Sequence, residues 1–109
     1  MEPANIIELN GSNFKDFTSK KGKAVIVDFW APWCMPCRAI APVLTRLAEE
    51  YPDNLLIGKL NVDDNQPIAY EYGISSIPNV YIYKDGEIVE QIVGARPFEF
   101  YKSALSKHM

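Results

Sequence analysis

Two cysteines, Cys34 and Cys37, are the only ones in the chain, and they stand three positions apart. A nearly continuous apolar segment, Ala24 to Phe29, comes before them and predicts a strand buried on both faces. An amphipathic helical pattern follows, from about Cys34 to Tyr51. A Cys-x-x-Cys pair at a strand-to-helix junction is typical of thiol–disulfide chemistry. This junction therefore constrains both the fold and the function of the chain.

The spacing of the two cysteines suits a reversible disulfide. Residues three apart on a helix have Cβ atoms about 5–6 Å apart, whereas a disulfide needs about 3.5–4.5 Å. The pair is therefore near bonding geometry without being relaxed in it. The unpaired N–H groups and the positive end of the dipole at a helix start favour a thiolate at Cys34. Pro36 suits the first turn, where the N–H that proline lacks would have no partner.

Two other interpretations of the pair are weaker. Half of a zinc site would need two further ligands, and the chain has no other cysteine and only one histidine, His108. A pair of inert core cysteines is disfavoured by the adjacent Trp33 and Pro36, which indicate a shaped and partly exposed loop. The sequence therefore predicts a redox pair, with no metal and no cofactor.

The length and charge of the chain set limits on its class. A chain of 109 residues suffices for one compact domain, expected to span residues 1–109. A net charge of −3 provides no basic surface for nucleic acid. The first residues do not resemble a signal peptide, and no apolar segment approaches the roughly 20 residues that span a bilayer. We therefore expect a cytoplasmic monomer in a reducing compartment, with no membrane partner.

Apolar periodicity and turn signals predict the order β-α-β-α-β-α-β-β-α. Alternation followed by a hairpin at Asp85-Gly86 predicts a mixed sheet with helices on both faces. Pro42 lies inside the long helix and is expected to kink it. The predicted strands cover residues 5–9, 24–29, 55–61, 80–84 and 87–93, and the helices lie near 14–18, 34–51, 66–72 and after Arg96-Pro97.

The segment Trp30-Ala31-Pro32-Trp33-Cys34-Met35-Pro36-Cys37-Arg38, after a Val-Asp-Phe strand, resembles the active-site motif of the thioredoxin family. The resemblance covers nearly the whole chain. It implies an α/β thioredoxin fold, a three-layer sandwich in which four helices flank a central mixed five-stranded sheet, with the cysteines at the carboxyl end of the second strand. One departure is Met35, where the usual family motif has glycine.

The resemblance also implies the activity and the catalytic residues. It implies a thiol–disulfide oxidoreductase that reduces protein disulfides, carries electrons and contributes to cell redox homeostasis. Cys34 would be the nucleophile and Cys37 the resolving thiol. Asp28 matches the family's buried acid and would be the proton acceptor for Cys37, and Lys59 matches the lysine beside that acid. A hydrogen-bonded structural Asp28 and a solvated surface Lys59 are the alternatives.

The resemblance assigns a substrate surface as well. It implies a cis peptide bond between Ile77 and Pro78, so that the backbone of Ile77 could pair with an extended peptide of a disulfide-containing protein. It also implies a thioredoxin reductase as electron donor. The residues expected to contact substrate are Trp33, Met35, Pro36, Ile77, Pro78, Gly94 and Ala95.

Three other functions remain open on sequence grounds. One is a disulfide-forming oxidase or isomerase, which a more oxidising potential would reveal. Another is a protein-binding module whose cysteines are dispensable. The last is a metal or iron–sulfur centre held between two chains by Cys34 and Cys37, which colour and metal content would reveal.

Overall fold

The structure is a computed structural model and describes residues 2–109. Alternating strands and helices are followed by a hairpin and a last helix, in the predicted order. The elements are β1 (Ile6–Glu8), α1 (Phe14–Thr18), β2 (Ala24–Trp30), α2 (Met35–Glu50), β3 (Leu55–Asn61), α3 (Gln66–Glu71), β4 (Asn79–Lys84), β5 (Glu87–Val93) and α4 (Phe98–Ser106).

The five strands form one mixed sheet in the order β1-β3-β2-β4-β5. β3 is parallel to both β1 and β2, whereas β4 is antiparallel to β2 and β5 is antiparallel to β4. β2 is thus the central strand, and every residue in it except Trp30 is buried. The mixed sheet predicted from the sequence is confirmed. Its central strand ends four residues before Cys34.

Helices cover both faces of the sheet, which gives the predicted three layers. Ala24 and Ile26 of β2 pack into one core cluster with α2 and α4. Val25 and Val27 point the other way, into a second cluster that includes α1. Because successive residues of a strand face opposite sides, a strand covered on both sides must be apolar at almost every position.

β5 departs from simple alternation. Ile82 pairs with Glu90 and Tyr83 pairs with Ile88, so the register shifts at Val89. Val89 and Ile92 are three positions apart, so in a regular strand they would face opposite sides of the sheet. Because of the shift, both pack against the same core cluster. A β-bulge inserts one residue into a strand and has this effect on the residues beyond it.

Several local predictions are confirmed. The Ile77-Pro78 bond is cis, and Asp85 and Gly86 both have positive φ, at 52° and 86°, as a two-residue hairpin turn requires. The helix predicted from about Cys34 begins instead at Met35, because Cys34 has extended backbone angles and caps the helix. Among residues 2–109, no helix is both long and apolar enough to cross a membrane.

Candidate active site

The two cysteines lie at the start of α2 and are joined by a disulfide. Cys34 is the N-cap residue, and Cys37 lies in the first turn, with the two Cα atoms 5.3 Å apart. The backbone N–H of Cys37 donates to Sγ of Cys34 at 3.2 Å. A free N–H group of the helix start is thus directed at this sulfur, where it stabilises negative charge once the disulfide is reduced.

The loop between β2 and α2 is held by backbone hydrogen bonds. The N–H of Cys34 donates to the carbonyl of Ala31, and the N–H of Arg38 donates to the carbonyl of Cys34, both at 3.1 Å. Cys34 is 5% exposed and Cys37 is 2% exposed, so both are more buried than a partly exposed loop suggests. Cys34 is nonetheless the more accessible of the two, because Cys37 lies one turn further into the helix.

Trp33 is fixed by an acid from another element. Its indole is 68% exposed, and Nε1 donates to the two carboxylate oxygens of Asp63 at 3.0 and 3.3 Å. Asp63 follows β3, and β2 and β3 are parallel neighbours. The carboxyl ends of such strands meet at one edge of the sheet, so the strand order brings Asp63 to Trp33. Asp63 was not among the predicted site residues, because no local pattern links it to Trp33.

Met35 presents an exposed thioether directly after Cys34. Its side chain is 70% exposed, and Nη1 of Arg38 lies 3.9 Å from its Sδ. The two residues are three positions apart on the surface of α2, a spacing that brings helical side chains together. Arg38 was absent from the predicted site, although this spacing would have suggested it. Pro36 occupies the first turn, as predicted, and is exposed.

The remaining predicted contact residues come from two loops. Ile77 is half-buried and packs against the cluster formed by Ala31 and the two cysteines. The N–H of Gly94 donates to the carbonyl of Pro78 at 2.8 Å. Gly94 has a φ of 86°, which favours glycine, and Ala95 is exposed. The structure thus brings Ile77 to the cysteines and Gly94 to Pro78.

Asp28 is a buried carboxyl group beneath α2. It is 1% exposed and lies on the same face of β2 as Ala24 and Ile26, which pack against α2 and α4. Its Oδ1 has no hydrogen-bond partner among residues 2–109. Burial raises the pKa of Asp28 to about 7, and the positive charge of Lys59 partly opposes this rise. The group therefore changes charge near neutral pH.

Lys59 belongs to the surroundings of Asp28. It lies opposite Asp28 in the register of β2 and β3 and is half-buried. Its Nζ is 5.0 Å from the centre of a Trp30 ring, so the ammonium group lies over an aromatic face. A fully solvated lysine does not fit this position.

His108 lies away from the cysteines. Its Nε2 is 2.8 Å from a carboxylate oxygen of Glu90 on β5. Among residues 2–109, no three side chains of His, Cys, Asp or Glu converge in a group that could hold a metal ion.

Comparisons with known proteins give a consistent result. The family model described as Thioredoxin matches residues 5–107. A thioredoxin of Bacillus subtilis is 45% identical over 104 residues, which cover 95% of this chain and 98% of that protein. A thioredoxin of Porphyra purpurea is 43% identical over 105 residues, with 96% and 98% covered. The solved structure of a mutant thioredoxin from Halobacterium salinarum superposes with a TM-score of 0.87 at 32% identity, covering 99% of this chain and 94% of that one.

Proposed function

This chain belongs to the thioredoxin family and is a thiol–disulfide oxidoreductase, and we propose that Cys34 attacks the substrate disulfide while Cys37 resolves the intermediate. The observation that carries this assignment is the hydrogen bond from the N–H of Cys37 to Sγ of Cys34 at the start of α2. Negative charge is stabilised at Cys34, whereas Cys37 lies deeper and reacts second.

In the first step, the thiolate of Cys34 attacks one sulfur of the substrate disulfide. A mixed disulfide forms between Cys34 and that sulfur, and the other substrate sulfur leaves as a thiolate, which takes up a proton. Cys34 is the better placed of the two to meet a substrate, since it is the more exposed and caps the helix.

In the second step, Cys37 loses its proton and attacks Sγ of Cys34. The bond between Cys34 and the substrate breaks, the second substrate thiol is released, and the enzyme retains the Cys34–Cys37 disulfide. We propose that Asp28 accepts the proton of the Cys37 thiol, directly or through a water molecule. A carboxyl group whose pKa is about 7 has the basicity that proton transfer near neutral pH requires. Lys59 tunes this acid through its charge.

We propose that substrates dock on the exposed surface around Cys34. The backbone of Ile77 would pair with an extended segment of the substrate, and backbone pairing tolerates many side chains. The apolar exposed side chains of Trp33 and Met35 would cover the segment from the side of α2. Pro36, Gly94 and Ala95 would form the rest of this surface, whereas Pro78 is buried and would support the adjacent backbone of Ile77.

The cellular setting follows from the chemistry. Each turnover leaves the Cys34–Cys37 pair as a disulfide. A thioredoxin reductase would then supply two electrons, and two protons would be taken up, so that the dithiol is restored for the next turnover. We propose a cytoplasmic location, since that compartment keeps such pairs reduced. We further propose that residues 1–109 act as one domain and as a monomer, without nucleic-acid or membrane partners.

A trapping experiment tests the assignment of the two cysteines. Cys37→Ser is expected to accumulate a mixed disulfide between Cys34 and a disulfide-containing protein such as insulin, seen by non-reducing electrophoresis and mass spectrometry. Cys34→Ser is the matched control and is expected to trap none. If the Cys34→Ser protein trapped the substrate through Cys37 as fast as the Cys37→Ser protein traps it through Cys34, the assignment would be contradicted.

A further inference from the structure

We propose that Met35 is a site of reversible oxidation, where a hydroperoxide converts the thioether to a sulfoxide that Arg38 then holds by a hydrogen bond. Three observations combine at this position. The side chain of Met35 is 70% exposed, it directly follows Cys34, and Nη1 of Arg38 already lies 3.9 Å from its sulfur.

The guanidinium group is better matched to the oxidised side chain than to the reduced one. A thioether sulfur is a weak acceptor, so the present contact is long. The oxygen of a sulfoxide lies one bond from Sδ and is a strong acceptor, and it would come within hydrogen-bonding reach of Nη1. A hydrogen bond from a charged donor is roughly twice as strong as one between neutral groups. Arg38 therefore favours the sulfoxide.

The reaction is balanced with a hydroperoxide as oxidant. The thioether sulfur attacks one oxygen of hydrogen peroxide, the O–O bond breaks, and the second oxygen leaves as hydroxide, which takes the proton of the transferred oxygen and becomes water. Sulfur loses two electrons and gains one oxygen, and the product is a methionine sulfoxide that cellular reductases can return to methionine. While Cys34 and Cys37 are joined as a disulfide, no thiol of this chain competes for the oxidant.

The consequence for substrates rests on the proposed function, which places Met35 on the docking surface. Oxidation replaces an apolar, flexible contact with a polar, chiral one. A folded substrate that covers Met35 would have to bury the new oxygen together with the charged guanidinium group of Arg38 that holds it, and removing that charge from water costs binding free energy. A small disulfide reagent need not cover Met35. Oxidation is thus expected to slow the reduction of protein disulfides selectively.

The modification itself is tested by treating the disulfide form with hydrogen peroxide and following peptide masses over time. Met109 is the internal reference, because it is 46% exposed and the pocket that it lines with Gly22 and Lys84 contains no arginine. Met35 is expected to oxidise about threefold faster than Met109, since Arg38 stabilises the negative charge that develops on oxygen. In Arg38→Gln the ratio is expected to fall toward that given by exposure alone. Equal rates in the original protein, or a ratio that Arg38→Gln leaves unchanged, would overturn the proposal.

The functional consequence is tested on the same samples. After reduction of the Cys34–Cys37 bond, the treated protein is expected to reduce insulin about fivefold more slowly than before treatment, while its rate with a small aromatic disulfide stays the same. Met35→Leu, which lacks the sulfur, is compared with its own untreated sample and should lose no rate. An unchanged insulin rate at full Met35 oxidation would refute the effect on docking. If the untreated protein reduced neither disulfide, the proposed function would fail, while the mass measurements on Met35 would still decide the modification.

Discussion

Asp28 and Lys59 lie directly opposite each other on the parallel strands β2 and β3, with the carboxyl group buried and the lysine half-buried. Burial raises the pKa of Asp28 to about 7, and the charge of Lys59 opposes that rise without cancelling it. The sheet register thus creates one acid in the interior that can exchange a proton near neutral pH. The proton equilibrium of Asp28 therefore affects the stability of the fold.

The stability of the disulfide form is expected to depend on pH through Asp28. The unfolded chain loses this proton near 3.8, whereas the folded chain keeps it up to about 7. Between these values the folded state binds more protons, so the free energy of unfolding falls as pH rises and levels off above the folded pKa. The loss attributable to Asp28 is on the order of 4 kcal/mol. Asp28→Asn should therefore be several kcal/mol more stable than the original protein at pH 8 and little different at pH 4.

Chemical denaturation at several pH values measures this difference. Asp53→Asn is the matched control, because Asp53 is exposed and the same charge is removed. Parallel pH profiles for the original protein and for Asp28→Asn would contradict the assignment.

The same substitution is expected to slow the release of substrate. An amide at position 28 cannot accept the proton of Cys37, so attack on the mixed disulfide loses general-base assistance of about tenfold or more. The first attack by Cys34 should change little. Rapid mixing with a protein disulfide near pH 7 should therefore show accumulation of the mixed disulfide in Asp28→Asn. Equal lifetimes of that intermediate in both proteins would exclude Asp28 as the proton acceptor.

The hydrogen bond between Trp33 and Asp63 is expected to fix the indole for substrate contact. Asp63→Ala removes the acceptor and should lower the rate with insulin by about two- to fivefold, because substrate binding must then order the indole. The fluorescence anisotropy of Trp33 should fall, because its indole becomes more mobile. Asp64→Ala is the matched control, since the neighbouring Asp64 is exposed and carries the same charge. Equal effects of the two substitutions would attribute the change to surface charge alone.

Gly58 is expected to be required by packing between β3 and α1. A Cβ at this position would come within 2.7 Å of a ring carbon of Phe17 and also meet Leu9, so the core must shift. Gly58→Ala should therefore lower the free energy of unfolding by about 1–3 kcal/mol. Gly11→Ala is the control, because a Cβ there has free space, and its stability should be unchanged or slightly raised. A stable Gly58→Ala protein would show that Leu9 and Phe17 relax without cost.

The sequence predicted most of the elements because each has a strong local signal. The apolar segment 24–29 is typical of a strand covered on both faces, and the core residues Phe98, Tyr101, Ala104 and Leu105 follow helical spacing. The predicted ends of the elements were the least accurate part of this prediction. β1 is shorter than predicted, and Cys34 caps α2 instead of belonging to it. The bulge at Val89 was not predicted, because a register shift depends on the partner strand.

The site was only partly predictable, for the same reason. The cysteines are close in sequence, so their pairing and their place at a helix start follow from local rules. Asp63 and Trp33 are 30 positions apart, and their hydrogen bond depends on β2 and β3 being neighbours. The proximity of Ile77 to the cysteines likewise depends on where the loop before β4 returns to the sheet.

By itself the sequence determined the chemistry available to this protein, namely two cysteines three apart at a strand-to-helix junction, because short-range geometry follows from spacing alone. The tertiary structure decided which charged groups surround α2 and how deeply they are buried. Packing α2 over β2 buries Asp28 and brings its pKa near neutrality, and the strand order places Lys59 beside it. Desolvation and long-range contacts arise only when distant segments meet, and for that reason no local pattern contains them.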